Sequence, residues 1–247
     1  MKVLNFRNAL LGVTLVVASA MLSPVAMANG KDRLYQVTIT NATLGQPVAP
    51  SVIATHDGSF RLFELGAAPM PGDGGYADYF ALAAMAETGY PFHVLDQVAA
   101  STGVWEAKVL ATSNTPPVIF PGGFNSTTIS ASGNAKYLSS VGMLGATNDA
   151  VYAVRGVMLP RGIGDTVHVS GSAYDAGSEA NAESADTVGA LGATDEDPVS
   201  GVGINEGGEG YIHVHAGIHG VGGMGGLSAA VHDWRNPVVE VTIERIE

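Results

Sequence analysis

Tyr137-Leu-Ser-Ser-Val-Gly-Met-Leu144, Ala146-Thr-Asn-Asp-Ala150, Val151 to Leu159, Thr166 to Ser172 and Tyr174-Asp-Ala-Gly-Ser-Glu179 form the stretch that decides the fold. Three runs rich in apolar and β-branched residues are separated by short turns of Gly, Asn, Asp and Pro, the pattern of consecutive strands. Taken as an antiparallel meander, the first strand runs up, the second down and the third up. The Pro160-Arg-Gly-Ile-Gly164 turn then lies at the bottom, and Asp149, Asp175 and Glu179 meet at the top. Three carboxylates at one rim repel one another unless a cation neutralises them. Calcium takes about six to eight oxygens and suits such loops. Gly177 lets the backbone fold so that Asp175 and Glu179 face one point.

Outward from this stretch the chain stays strand-rich. Leu34 to Thr40 alternates apolar and polar residues, as a half-buried strand does. Ser51 to His56 and Phe60 to Leu65 read as two short strands around Asp57-Gly58. Val104 to Ala111, Val118 to Phe120, Ser126 to Ala131, Gly210 to His215 and Val238 to Ile246 follow the same pattern. Two helices are expected, over Tyr76 to Thr88 and Phe92 to Ala100, as a short insertion capping one end of a β domain. The expected fold is an all-β, antiparallel sandwich with this helical insertion.

Composition narrows the function. The hydrophobic share of 46% is ample for a core, while charged residues are 14%. Eleven basic residues stand against 23 acidic ones, a formal net charge of −12. Nucleic acid is not an expected partner of such a surface, because phosphate binding needs clustered positive charge. There is no cysteine, so disulfides and thiolate sites are excluded. Residues 1–28 read as a cleaved signal peptide: Lys2 and Arg7, an apolar run from Ala9 to Leu22, then Ala26-Met27-Ala28. Cleavage removes Lys2 and Arg7 from the 11 basic residues and leaves 9 against 23 acidic ones. Residues 29–247 form one exported domain, periplasmic or secreted, with no membrane-spanning segment after cleavage.

His213, His215 and His219 make a second candidate site. Alternate residues of a strand share a face, so His213 and His215 point the same way, and His219 in the next loop can complete a site for zinc or another transition metal. Asp195-Glu-Asp197 with Glu206 fits an EF-hand loop only superficially, since Val199 and Ser200 stand where an oxygen ligand and a glycine are required. Asn41-Ala-Thr43 and Asn125-Ser-Thr127 match glycosylation sequons, read here as chance. Trp105 and Trp234 are expected as core or interface anchors rather than stacking platforms.

Asn148-Asp149 after an apolar strand, followed by Tyr174-Asp-Ala-Gly-Ser-Glu179, resembles the two signature segments of the spondin N-terminal domain family. Tyr35-Gln-Val-Thr-Ile-Thr-Asn41, Ile53-Ala-Thr-His56, Gly208-Glu-Gly-Tyr-Ile-His-Val-His215 and Asp233-Trp-Arg-Asn-Pro237 extend the resemblance, the last two toward its bacterial branch. The resemblance implies a C2-like sandwich with calcium held by Asp149, Asp175 and Glu179. Glu179 stands where animal members tend to carry aspartate, and Ala150-Val151 replaces their Trp-Phe pair. The expected function is non-catalytic: a calcium-binding module for cell-surface or extracellular association, adhesive or matrix-type, with an extracellular protein or polysaccharide as partner. The alternative is a transition-metal enzyme built on His213, His215 and His219.

Overall fold

The computed structural model describes residues 32–69, 81–193 and 207–247. The expected signal peptide, the first part of the expected Tyr76 helix and the Asp195–Glu206 segment lie outside the described residues. Nine strands run in chain order: β1 (Arg33–Asn41), β2 (Ser51–His56), β3 (Val104–Leu110), β4 (Phe124–Ala131), β5 (Tyr137–Met143), β6 (Ala150–Met158), β7 (Thr166–Asp175), β8 (His213–Val214) and β9 (Val239–Arg245). Helices α1 (Ala81–Thr88) and α2 (Phe92–Ala100) separate β2 from β3, and α3 (Ala229–His232) precedes β9.

All pairings are antiparallel, in the order β3-β2-β5-β6-β7-β9-β1-β4, with β8 against β7. The expected meander is present as β5-β6-β7. Strand β7 does the work of a corner. Its first half, Thr166 to Gly171, pairs with β9, and its second half, Ser172 to Asp175, pairs with β6. One strand thus passes from one sheet to the other, as in sandwiches whose corners are made by strands that switch sheets. At the switch, a Cβ on Gly171 would come within 2.6 Å of Val239 Cγ2, so only glycine allows this approach.

The terminal strands β3 and β4 meet through side chains. Glu106 Oε2 accepts hydrogen bonds from the amide (2.6 Å) and hydroxyl (2.5 Å) of Ser130. Lys108 Nζ donates to the Thr128 carbonyl at 2.6 Å, and Asn125 Nδ2 donates to the Ala111 carbonyl at 2.7 Å. The result is an all-β, sandwich-like fold that is nearly a closed barrel. Trp105 stands at this seam 40% exposed and donates to Ser130 Oγ, so it is not a core anchor. Trp234 packs partly against the interior.

The two larger apolar cores among the described residues follow from strand periodicity. Tyr35, Val37 and Ile39 of β1, Tyr152 of β6 and Val239, Val241 and Ile243 of β9 fill the space between the sheets. Val52 and Ala54 of β2, Val141 of β5 and Val151 and Ala153 of β6 point the other way, into a second core with Leu82 and Met85 of α1 and Val94 and Val98 of α2. The helices therefore cover the outer face of β2, β5 and β6 rather than capping an end. This is why every residue of β2 is buried.

Three strand expectations change. Val118 to Phe120 is not a strand but holds a single isolated bridge from Ile119 to Val48. Phe60 to Leu65 is not a strand: Phe60, Leu62 and Phe63 belong to the core beneath the helices, and β2 pairs with β3 instead. Of Gly210 to His215, only His213–Val214 is strand. The sequon residue Asn41 is buried, and its Nδ2 donates to the carbonyls of Gln46 and Ile119. Among the described residues no helix is long and apolar enough to cross a membrane.

Candidate metal centre

The β6–β7 register pairs Ala150 with Asp175. Asp149 and Asp175 therefore end adjacent strands at the same rim, and the Ala176 amide donates to the Asp149 carbonyl (3.1 Å). The chain then folds back at Gly177, whose φ is +69°. A Cβ there would sit 2.3 Å from the Tyr211 carbonyl oxygen, so glycine is required by conformation and by space. This turn aims the amides of Ser178 and Glu179 at Asp149 Oδ2, at 2.8 and 3.0 Å. Asp175 Oδ1 accepts from the Gly177 amide (2.8 Å) and Oδ2 from Asn181 Nδ2 (2.7 Å).

Asp149, Asp175 and Glu179 are all buried at this rim. Asp149 Oδ1 has no hydrogen-bond partner among the described residues. Burial, and then the charge of Asp175, push the Asp149 carboxyl up to about 7 against the pull of its two amide donors, and Glu87 adds to the rise. Glu87 closes α1 and is itself buried. The charge of this fourth acid thus acts on Asp149 from the helical insertion, 62 positions earlier in the chain.

The histidines approach Asp175 from β8 and the loop after it. His213 Nδ1 lies 3.8 Å from Asp175 Oδ1, and His215 Nε2 lies 3.8 Å from Oδ2. The alternation expected of a strand is realised, with an acid at its focus. Their tautomers differ. The Gly217 amide donates to His215 Nδ1 (2.9 Å), so the neutral ring carries its proton on Nε2, toward Asp175. Burial keeps His215 below the usual histidine range despite Asp175. His213 Nδ1 faces the Tyr211 carbonyl at 3.3 Å and must be the protonated nitrogen, which leaves Nε2 its lone pair. The His219 side chain is exposed; its amide donates to Glu183.

Ligand atoms of Asp175, Glu209 and His213 lie within 4.8 Å of one another, a spacing that one metal ion can bridge. Glu209 and Glu87 were missed by sequence reasoning. Glu209 lay within a quoted segment and carried no role. Glu87 could have been found as the lone acid in an otherwise apolar helix.

Glu183 is the third omission. It is buried, and its carboxylate accepts from the amides of His219 (2.7 Å), Gly220 (2.6 Å) and Val221 (2.9 Å). Its own amide donates to Asn148 Oδ1 (3.0 Å), next to Asp149. It knits the glycine-rich Gly217–Gly226 loop to the rim through three of the roughly four acceptor positions of its carboxylate.

The fold and the rim define a class: an all-β, sandwich-like protein with an Asp/Glu/His group able to hold a metal ion. No model of a known protein family matches the chain, and no characterised protein matches it in sequence.

Proposed function

We propose that this chain is an exported, non-catalytic calcium-binding module of the spondin-like type, working in surface or extracellular association. The supporting observation is Asp149 Oδ1, a buried carboxylate oxygen without a hydrogen-bond partner among the described residues, in a carboxyl on which the charge of buried Asp175 acts. An unpaired buried charge is costly, and a cation is the group that offsets it. The donor set fits a hard cation: Asp149 offers a free oxygen, and Asp175 accepts one hydrogen bond on each oxygen and retains further lone pairs. Bound there, calcium would neutralise the rim and tie the Asp149 loop to the Asp175–Glu179 turn. The partner in this reading is an extracellular protein or polysaccharide.

A second reading rests on Asp175, Glu209 and His213, whose mixed oxygen and nitrogen donors suit zinc or another transition metal. It replaces the three-histidine set, because His215 presents an N–H to Asp175 and His219 faces solvent.

A thermal melt of the protein without residues 1–28, in EDTA, in millimolar calcium and in micromolar zinc, separates the two. A ligand that binds only the folded state adds about 2.7 kcal/mol at a hundred times its dissociation constant. A calcium-specific rise supports the first reading. A zinc rise lost in Glu209→Gln, with no calcium response, supports the second.

A further inference from the structure

We propose that the cavity between the Asp57–Phe63 turn and the Arg155 end of β6 binds a small organic anion, one oxyanion group on a flat apolar body. The cavity measures about 380 Å³ and is lined by His56, Phe60, Arg61, Phe63, Tyr137 and Arg155, among others. It lies toward the opposite end of β5 and β6 from the acid rim, and its proposed function is independent of metal binding there.

Charge is the first observation. The chain has only 11 basic residues against 23 acidic ones, yet two arginines line this one cavity. Among the described residues the ion pairs involve Lys108, His213 and His215, and none involves Arg61 or Arg155. Asp57, the carboxylate on the same turn, is turned to Ser59, whose amide (2.8 Å) and hydroxyl (2.5 Å) donate to its Oδ1, and forms no ion pair with either arginine among the described residues. In so acidic a protein, unpaired arginines at one cavity create a local field that favours an anion.

Preorganisation is the second. Arg61 Nη1 donates to the carbonyls of Gly58 (2.7 Å) and Phe60 (2.8 Å), which fixes the guanidinium while Nε and Nη2 have no partner among the described residues. The Arg155 guanidinium lies over Phe63 and Tyr174, 4.9 and 5.1 Å from their ring centroids. Arginines held in this way lose little entropy on binding a carboxylate or a phosphate, and their planar forks match either group.

The floor is rigid and neutral. His56 Nδ1 donates to the Asp57 carbonyl (2.7 Å), so Nε2 accepts from Ser139 Oγ (2.9 Å). Ser139 Oγ in turn accepts from the Gly156 amide (2.9 Å). Burial keeps His56 below the usual histidine range. Ser139 is committed to this network and is not a free nucleophile. Phe60, Leu62 and Phe63 supply apolar wall for the body of the ligand.

The test is an NMR titration at low salt with phenyl phosphate, benzoate and neutral benzyl alcohol. Support is a saturable shift of the Gly58, Phe63 and Gly156 amides with either anion and not with the alcohol. The anion that binds more tightly identifies the oxyanion. Affinity should fall by about tenfold or more in Arg61→Gln with Arg155→Gln, and stay unchanged in Lys108→Gln. The proposal is overturned if neither anion moves those amides by about 10 mM, if the alcohol moves them equally, or if Lys108→Gln weakens binding as much as the double variant. Should the double variant not fold, the parent's shift map still decides between these outcomes.

Discussion

At the scale of single residues the rim depends on an opposition between hydrogen bonding and charge. Asp149 Oδ2 is held by two amides, while Oδ1 is buried with no hydrogen-bond partner among the described residues and the charge of Asp175 acts on the carboxyl. Asparagine keeps an acceptor for both amides and removes the charge. Asp149→Asn is therefore expected to melt higher than the parent in EDTA at pH 8, by about 1–2 kcal/mol, and to lose any calcium-dependent rise. A variant less stable than the parent in EDTA contradicts the repulsion argument. Glu183 has the opposite character. Its carboxylate satisfies three amides, so Glu183→Ala leaves three donors without a partner and is expected to cost about 3 kcal/mol or more. Urea denaturation in EDTA reads this loss directly; a change within about 0.5 kcal/mol would mean that the loop is held elsewhere.

At the scale of elements, the Asp175–Glu179 turn shows how much the sequence disclosed. Gly177→Ala should destabilise by about 3 kcal/mol, since a left-handed backbone and a 2.3 Å approach to the Tyr211 carbonyl both oppose a Cβ. Calorimetry checks it, and a loss under about 1 kcal/mol would show that the turn can move aside. The glycine, the meander and the shared rim of Asp149 and Asp175 were legible because they follow from local period and strand direction; among the described residues, though, the acids whose ligand atoms converge are Asp175 and Glu209, with His213, rather than the expected trio with Asp149 and Glu179. What was hidden depends on contacts far apart in the chain. Phe60, Leu62 and Phe63 looked like a strand because they are apolar, yet they are apolar because α1 and α2 pack on them. Glu87 carried no role in the sequence, because its burial at the end of α1 depends on packing far from it in the chain. The pair of histidines was readable from alternation, whereas their focus on Asp175 required the β7–β8 register.

At the scale of the molecule, a nearly closed barrel leaves two strands to be joined, and unpaired edges invite association with other chains. Here side chains join β3 to β4, and Glu106 supplies the shortest contacts. Burial pushes its carboxyl up, but Lys108 at 2.8 Å and the hydroxyl and amide of Ser130 together hold it below the usual range. A carboxyl depressed in the folded state stabilises the fold above its unfolded pKa, and that stability is lost as pH falls through the folded one. Glu106→Gln is thus expected to lower stability at pH 7 by about 1–2 kcal/mol, and the gap from the parent should close as pH falls below the ordinary glutamate range and through the depressed folded pKa. Hydrogen exchange at the Ser130 amide gives a local reading of the same contact, with faster exchange in the variant. A gap that stays constant with pH would assign the loss to packing rather than to the charged hydrogen bonds. A protein that keeps its stability and its Ser130 protection would show that the sandwich closes without this carboxylate.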